Sequence, residues 1–156
     1  MLDFRYLPPS RGVYVLHLCV SRPQPLTIGR LGKSSLSVGQ YFYVGSAHGT
    51  GGLRARVGRH LRGAGALHWH IDYLRAVSEV RAVFYTVTDK ALECGWSQAL
   101  AQLPHAFIPV PHFGSSDCRS GCAAHLVAFP RRADLAEVQH VLGQIAGAPL
   151  VRLRFR

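Results

Sequence analysis

The sequence predicts a small α/β fold, with a central, mostly antiparallel sheet of short strands flanked by helices. Three observations predict it. Short apolar runs rich in Val, Leu, Phe and Tyr recur along the chain, most of them bounded by Gly, Pro or polar turn residues, as strands are. Between them lie stretches whose apolar residues repeat at helical spacing. Several of the connections carry the Pro, Gly and Ser typical of turns. The 156 residues suit one domain spanning 1–156, which ends in a helix and a strand.

Taken in order, Pro8 and Pro9 mark an entry loop, and GVYVLHLCV (Gly12 to Val20) reads as a well-buried strand. SRPQP is a turn, and LTIGRL (Leu26 to Leu31) a second strand weakened by Gly29. GKSSLSVG is a polar connector, and QYFYV (Gln40 to Val44) a strand stopped by Gly45. These strands read as a meander whose first two members are joined by a tight turn. After the small-residue loop SAHGTGG, Leu53, Val57 and Leu61 make one helical stripe, with Arg54, Arg56, Arg59 and Arg62 on other faces.

A second helix is expected over His68 to Val77, anchored by Trp69, and a strand over Val80 to Thr88. Asp89 is a credible N-cap for a helix from Lys90 to about Leu103, closed by Pro104. His105 to Gly121 is a Pro, Gly and Ser-rich loop, and a loop this long is usually functional or tied to a metal. His125 to Phe129 is a short strand, and Asp134 starts a helix through Ile145. VRLRFR alternates apolar with Arg, as an edge strand with an arginine face would.

Lys and Arg number 18 against 8 Asp and Glu, a formal net charge of +10. A fold this basic repels itself, so the excess charge points to an acidic partner, nucleic acid first and an anionic membrane surface second. No run approaches the ~20 apolar residues of a membrane span. The N-terminus MLDFRYLPPSRG lacks the apolar stretch of a signal peptide, so the expectation is a cytoplasmic protein without membrane attachment. In such a compartment Cys19, Cys94, Cys118 and Cys122 are expected as thiols or metal ligands rather than disulfides.

Two strands deliver a Tyr beside a Gly, as Gly12-Val13-Tyr14 and as Tyr43-Val44-Gly45. LRARVGRHL then places His60 four residues after Arg56, and ALECGWSQAL carries the single acid Glu93. In this order the elements resemble the GIY-YIG nuclease superfamily. The strings HWHIDYL (His68 to Leu74), LEC (Leu92 to Cys94) and FGSSDC (Phe113 to Cys118) followed by His125 resemble its DUF123 branch. The long span between Tyr14 and Tyr43 is a feature of that branch. The resemblance covers roughly Gly12 to Pro130 and implies a small GIY-YIG-like α/β sandwich. It further implies a DNA endonuclease using one divalent ion, with Tyr14, Tyr43, Arg56, His60 and Glu93 as catalytic residues and Glu93 as the metal ligand. Structured or damaged DNA is the expected substrate, with RNA left open. The alternative is a catalytically inactive nucleic-acid-binding module of the same fold.

The residue chemistry is consistent with that implication. A hard ion such as Mg²⁺ or Mn²⁺ needs only one or two carboxylates, which suits a chain this poor in acids. Arg56 would neutralise non-bridging phosphate oxygens with its planar fork. Tyr14 or Tyr43 would position or deprotonate water, and His60, with an ordinary pKa near neutrality, would relay a proton. Each residue alone also has a plain structural reading. The two Tyr suit strand cores, Arg56 a solvated helix face, and Glu93 the first turn of a helix.

Cys118-x3-Cys122-x2-His125, with Cys94 available from the preceding helix, is loosely compatible with a structural Zn²⁺, although it lacks paired C-x2-C spacing. The plainer reading makes Cys94 and Cys118 small buried hydrophobes. His68 and His70 lie two apart, a poor spacing for joint ligation on a helix; His70 or Asp72 joins the active site if it faces the Tyr-bearing strands, and otherwise Asp72 makes a local salt bridge or hydrogen bond. Arg30, Lys33, Arg54, Arg59, Arg62, Arg131 and Arg132 are candidates for phosphate contacts, joined by the hydroxyls of Ser115 and Ser116.

Overall fold

A computed structural model of the protein describes residues 4–63, 65–116, 118 and 120–155. Strand β1 (Gly12–Val20) is its axis. Nearly every β1 side chain is buried, because the strand is covered on both faces and paired along both edges. It pairs antiparallel with β4 (Gly39–Ala47) on one side and β5 (Glu79–Val87) on the other. β6 (Leu126–Pro130) adds outside β4, and β7 (Leu150–Arg154) outside β5. The central sheet is therefore five antiparallel strands in the order β6-β4-β1-β5-β7.

Strand alternation sorts the core into two layers. Tyr14, Leu16 and Leu18 point to one face, against helices α1 (Gly52–Arg62) and α2 (His70–Arg75). Val13 and Val15 point to the other, against α3 (Glu93–Ala101) and α4 (Leu135–Ala146). The α1 stripe of Leu53, Val57 and Leu61 is buried as its spacing predicts. Its first amides are satisfied by the entry loop, since Leu53 N–H donates to Ser10 O and Arg54 N–H to Pro8 O.

Four sequence expectations are corrected. The meander does not form, because β1 is next to β4 and β5 and not β2. The expected polar connector contains a strand, β3 (Gly32–Leu36), which pairs with β2 (Gln24–Ile28) as a separate two-stranded ribbon. Ile28 and Leu36 anchor that ribbon in the core, and it fills the long span between the two Tyr motifs. α3 starts at Glu93 rather than at Lys90, and Asp89 lies 3.9 Å from Arg11 instead of capping it. α2 begins only at His70, with Trp69 still extended before it. The Asp134 cap forms as expected, its carboxylate accepting from the amides of Ala136 and Glu137. β7 lies at the sheet edge, with the Arg152 guanidinium over the Phe84 ring. Among the described residues no helix is long and apolar enough to cross a membrane.

Candidate active site and metal cluster

In the antiparallel register Tyr14 faces Gly45, and Leu16 faces Tyr43. The Tyr14 ring lies over Gly45, where an added Cβ would come within 2.5 Å of the ring. Gly12 is equally confined, since a Cβ there would collide with Thr86 O and the Leu53 side chain. The glycines of both Tyr motifs are thus required by close packing.

α1 brings His60 against this surface, and its Nε2 shares a 2.7 Å hydrogen bond with the Tyr14 hydroxyl. The Tyr14, Tyr43 and His60 rings stand 5.6 to 6.4 Å apart, centre to centre. Burial, helped by the neighbouring Tyr43, pushes the Tyr14 phenol well above its ordinary pKa. Burial raises Tyr43 to about 12, with Arg56 opposing. Burial, reinforced by the Arg59 charge, lowers His60 to about 3. The expectation that His60 titrates near neutrality is therefore corrected: it is a neutral imidazole across the physiological range, and its Nδ1 is buried without a partner.

Trp69 is the scaffold for the cationic side. The guanidinium carbons of Arg56 and Arg59 lie 4.4 and 4.1 Å from its ring centre. Arg59 also makes a two-pronged ion pair with Asp72, at 2.8 and 3.0 Å. Burial alone would raise Asp72, but the hydrogen bonds from Arg59 and from the amides of Trp69 and His68 hold it down to about 2. Arg59 is thereby paired with Asp72, which leaves its guanidinium less free for the phosphate contact the sequence suggests. Arg54 is held by Leu7 O at 2.8 Å, and Arg62 lies over the Phe4 ring. Ser115 is buried, so the expected surface contact of its hydroxyl is also corrected. Arg30, Lys33, Arg131 and Arg132 are exposed.

Tyr14, Tyr43, Arg56 and Glu93 line one cleft of about 340 Å³, together with His68, Trp69, His70, Gly114, Ser116 and His125. His60 supports it from behind Tyr14. Glu93 is reached although most of α3 packs on the opposite face of the sheet. β6 pairs with β4 only as far as Tyr43, and α3 begins with Glu93 at that end of the sheet. The helix expected over His68 to Val77 does not include His68 and Trp69. The extended backbone at Trp69 is what lets His68, Trp69 and His70 share the cleft. Gly114 was missed altogether. Its amide donates to His70 Nδ1 at 2.8 Å, and its φ of +72° suits glycine.

Beside the cleft, Cys94, Cys118, Cys122 and His125 converge, with one ligand atom from each lying within 4.8 Å of all the others. Cys118 Sγ is 3.0 Å from Cys94 Sγ and 3.4 Å from Cys122 Sγ, and His125 Nε2 is 3.1 Å from Cys122 Sγ. The sulfurs of Cys94 and Cys122 are also in contact, within reach of a disulfide, with Cα atoms 5.7 Å apart. The group could hold a metal ion, and its three sulfurs and one nitrogen fit Zn²⁺ better than Mg²⁺.

A model described as "domain of unknown function DUF123" matches residues 13–146. The chain belongs to that family. No curated protein and no solved structure matches it.

Proposed function

We propose that the protein is a GIY-YIG-type endonuclease that hydrolyses phosphodiester bonds of DNA with one Mg²⁺ or Mn²⁺ ion. One observation carries the reading: Tyr14, Tyr43, Arg56 and Glu93, far apart in sequence, line a single cleft. The net charge of +10 supports an anionic polymer as substrate.

The donor set fits a hard ion. Among the described residues Glu93 is the one carboxylate lining the cleft, while Asp72 is occupied by Arg59. Mg²⁺ keeps most of its waters and accepts a site with so few carboxylates. Held by Glu93, such an ion would supply Lewis acidity and positive charge at the scissile phosphate.

The chain's own groups have separate tasks. Arg56, backed by the Trp69 ring, offers a guanidinium to non-bridging phosphate oxygens. Tyr14 and Tyr43 are protonated phenols, so they orient water and phosphate by hydrogen bonding rather than acting as standing phenolates. His60, neutral and buried, holds the Tyr14 oxygen in place. Arg30 and Lys33 on the ribbon, and Arg131 and Arg132 after β6, extend the basic surface for backbone contacts.

The test is cleavage of supercoiled, branched, damaged and single-stranded DNA, with RNA in parallel, with and without Mg²⁺ or Mn²⁺. Activity should require the ion and fall sharply in Glu93→Ala and Arg56→Ala while circular dichroism stays unchanged. Intact substrates throughout would remove the enzyme reading.

The raised phenols and the lowered imidazole favour one second reading, a DNA-binding module of the same fold without catalysis. Salt-dependent binding with no cleavage under any metal condition would select it.

A further inference from the structure

We propose that Cys94, Cys118, Cys122 and His125 form a closed, structural Zn²⁺ site that clamps the 105–125 loop onto the first turn of α3. The four donors come from two stretches of chain far apart in sequence. Cys94 is in the first turn of α3, Cys118 and Cys122 lie in the loop, and His125 immediately precedes β6. A disulfide between Cys94 and Cys122 would satisfy two sulfurs only. It gives no reason for a third sulfur at 3.0 Å from Cys94 and an imidazole nitrogen at 3.1 Å from Cys122. A tetrahedral ion requires all four to meet.

Four protein donors leave no open position, which makes the site structural rather than catalytic. Thiolate sulfur is a soft donor, so the hard ions suited to Glu93 are disfavoured here. Starting from the reduced protein, with Cys94, Cys118 and Cys122 as thiols, binding displaces three thiol protons to solvent and transfers no electrons.

The described residues of the loop have little regular structure, so its shape needs a tie. Its apolar anchors are Val110 and Phe113, with Phe113 edge-on to Tyr43. The His125 amide donates to Phe113 O, and the Gly114 amide to His70 Nδ1. An ion joining Cys118, Cys122 and His125 to Cys94 would hold Gly114 and Ser116 in the cleft wall beside Glu93. The clamp therefore sets the spacing of that wall.

The site itself does not depend on the nuclease reading, and its test does not use cleavage. Full-length protein purified under reducing conditions is analysed for metal and for titratable thiols before and after chelation. We expect about one zinc per chain, with three thiols protected until the zinc is removed. Co²⁺ in its place should give thiolate-to-metal charge transfer and tetrahedral d–d bands.

Cys118→Ser and Cys122→Ser should lower zinc affinity by roughly tenfold or more and lower the melting temperature. His125→Cys, which keeps a ligand, and Cys19→Ser, outside the cluster, should retain zinc. Glu93→Ala should also retain it, which separates this site from the proposed catalytic one. Substoichiometric zinc with a persistent Cys94–Cys122 disulfide and unprotected Cys118 would overturn the proposal, as would octahedral Co²⁺ spectra. If the serine variants fail to fold, the parent's Co²⁺ spectrum and zinc retention by His125→Cys decide.

Discussion

The two walls of the cleft are built by different physics. Tyr14, Tyr43 and His60 stand on β1, β4 and α1, where the sheet register and a buried apolar stripe set their positions. Gly114 and Ser116 stand on a loop without regular structure, next to a helix terminus and a knot of three sulfurs and an imidazole. The first wall is held by the hydrophobic core and cannot shift without disturbing it. The second is held by a few polar and ligand contacts and can move while the sheet stays folded. Precision in the chemistry therefore depends on both, but stability depends mainly on the first.

The largest expected effect falls on chemistry rather than folding. Arg56→Ala and Glu93→Ala should each reduce cleavage by about 10²–10³-fold, as read by single-turnover assays, with unfolding midpoints close to the parent's. If either variant unfolds instead, that residue belongs to the structural wall.

Gly45→Ala strikes the rigid wall directly. Its new Cβ would press on the Tyr14 ring, so a loss of about 1–3 kcal/mol is expected from overpacking. Denaturant titration measures it, and an unchanged midpoint would show that the Tyr14 ring yields freely. Asp72→Asn weakens the Arg59 pair and the carboxylate's hydrogen bonds to the amides before α2. It should cost about 2 kcal/mol at neutral pH, in line with the depression of Asp72 from 3.8 to about 2.

Acid should test the same wall. His60 falls from 6.5 to about 3 in the folded protein, so the unfolded chain binds more protons between those values. Its contribution is fully present above the unfolded pKa of 6.5 and is lost as pH falls through the folded value of about 3. Asp72 has the same sign: its contribution is present above 3.8 and lost as pH falls through about 2. Stability measured from pH 7 downward should fall across this range, less steeply in His60→Gln above pH 4. Identical slopes in parent and variant would mean that His60 is not buried neutral.

The smallest effect is expected far from both walls. Lys33→Ser on the ribbon should weaken DNA binding slightly and flatten its salt dependence by about one phosphate contact, without altering the cleavage rate of bound substrate.

How much was legible in the sequence follows from which interactions are local. The apolar run from Gly12 to Val20, the α1 stripe of Leu53, Val57 and Leu61, and the Asp134 cap all act within a few residues, and each forms where its pattern indicated. The sequence shows the Tyr, Arg, His and Glu of the candidate site only as an ordered set. Nothing local shows that Glu93 reaches the cleft from the far face of the sheet.

Tertiary structure alone decided four matters, and each depends on contacts between residues distant in the chain. It pairs β1 with β4 and β5, and turns the supposed connector at Gly32 to Leu36 into one strand of a separate ribbon. It pairs Arg59 with Asp72, so an arginine that looks free in sequence is less so. It buries His60 among aromatic rings and cations, which removes the near-neutral titration its residue type suggests. It also gathers Cys94 to Cys118, Cys122 and His125 across a span whose spacing carries no paired signature. Periodicity records which face of an element is buried, while pairing partners, charge commitment and ligand geometry arise only when distant segments meet.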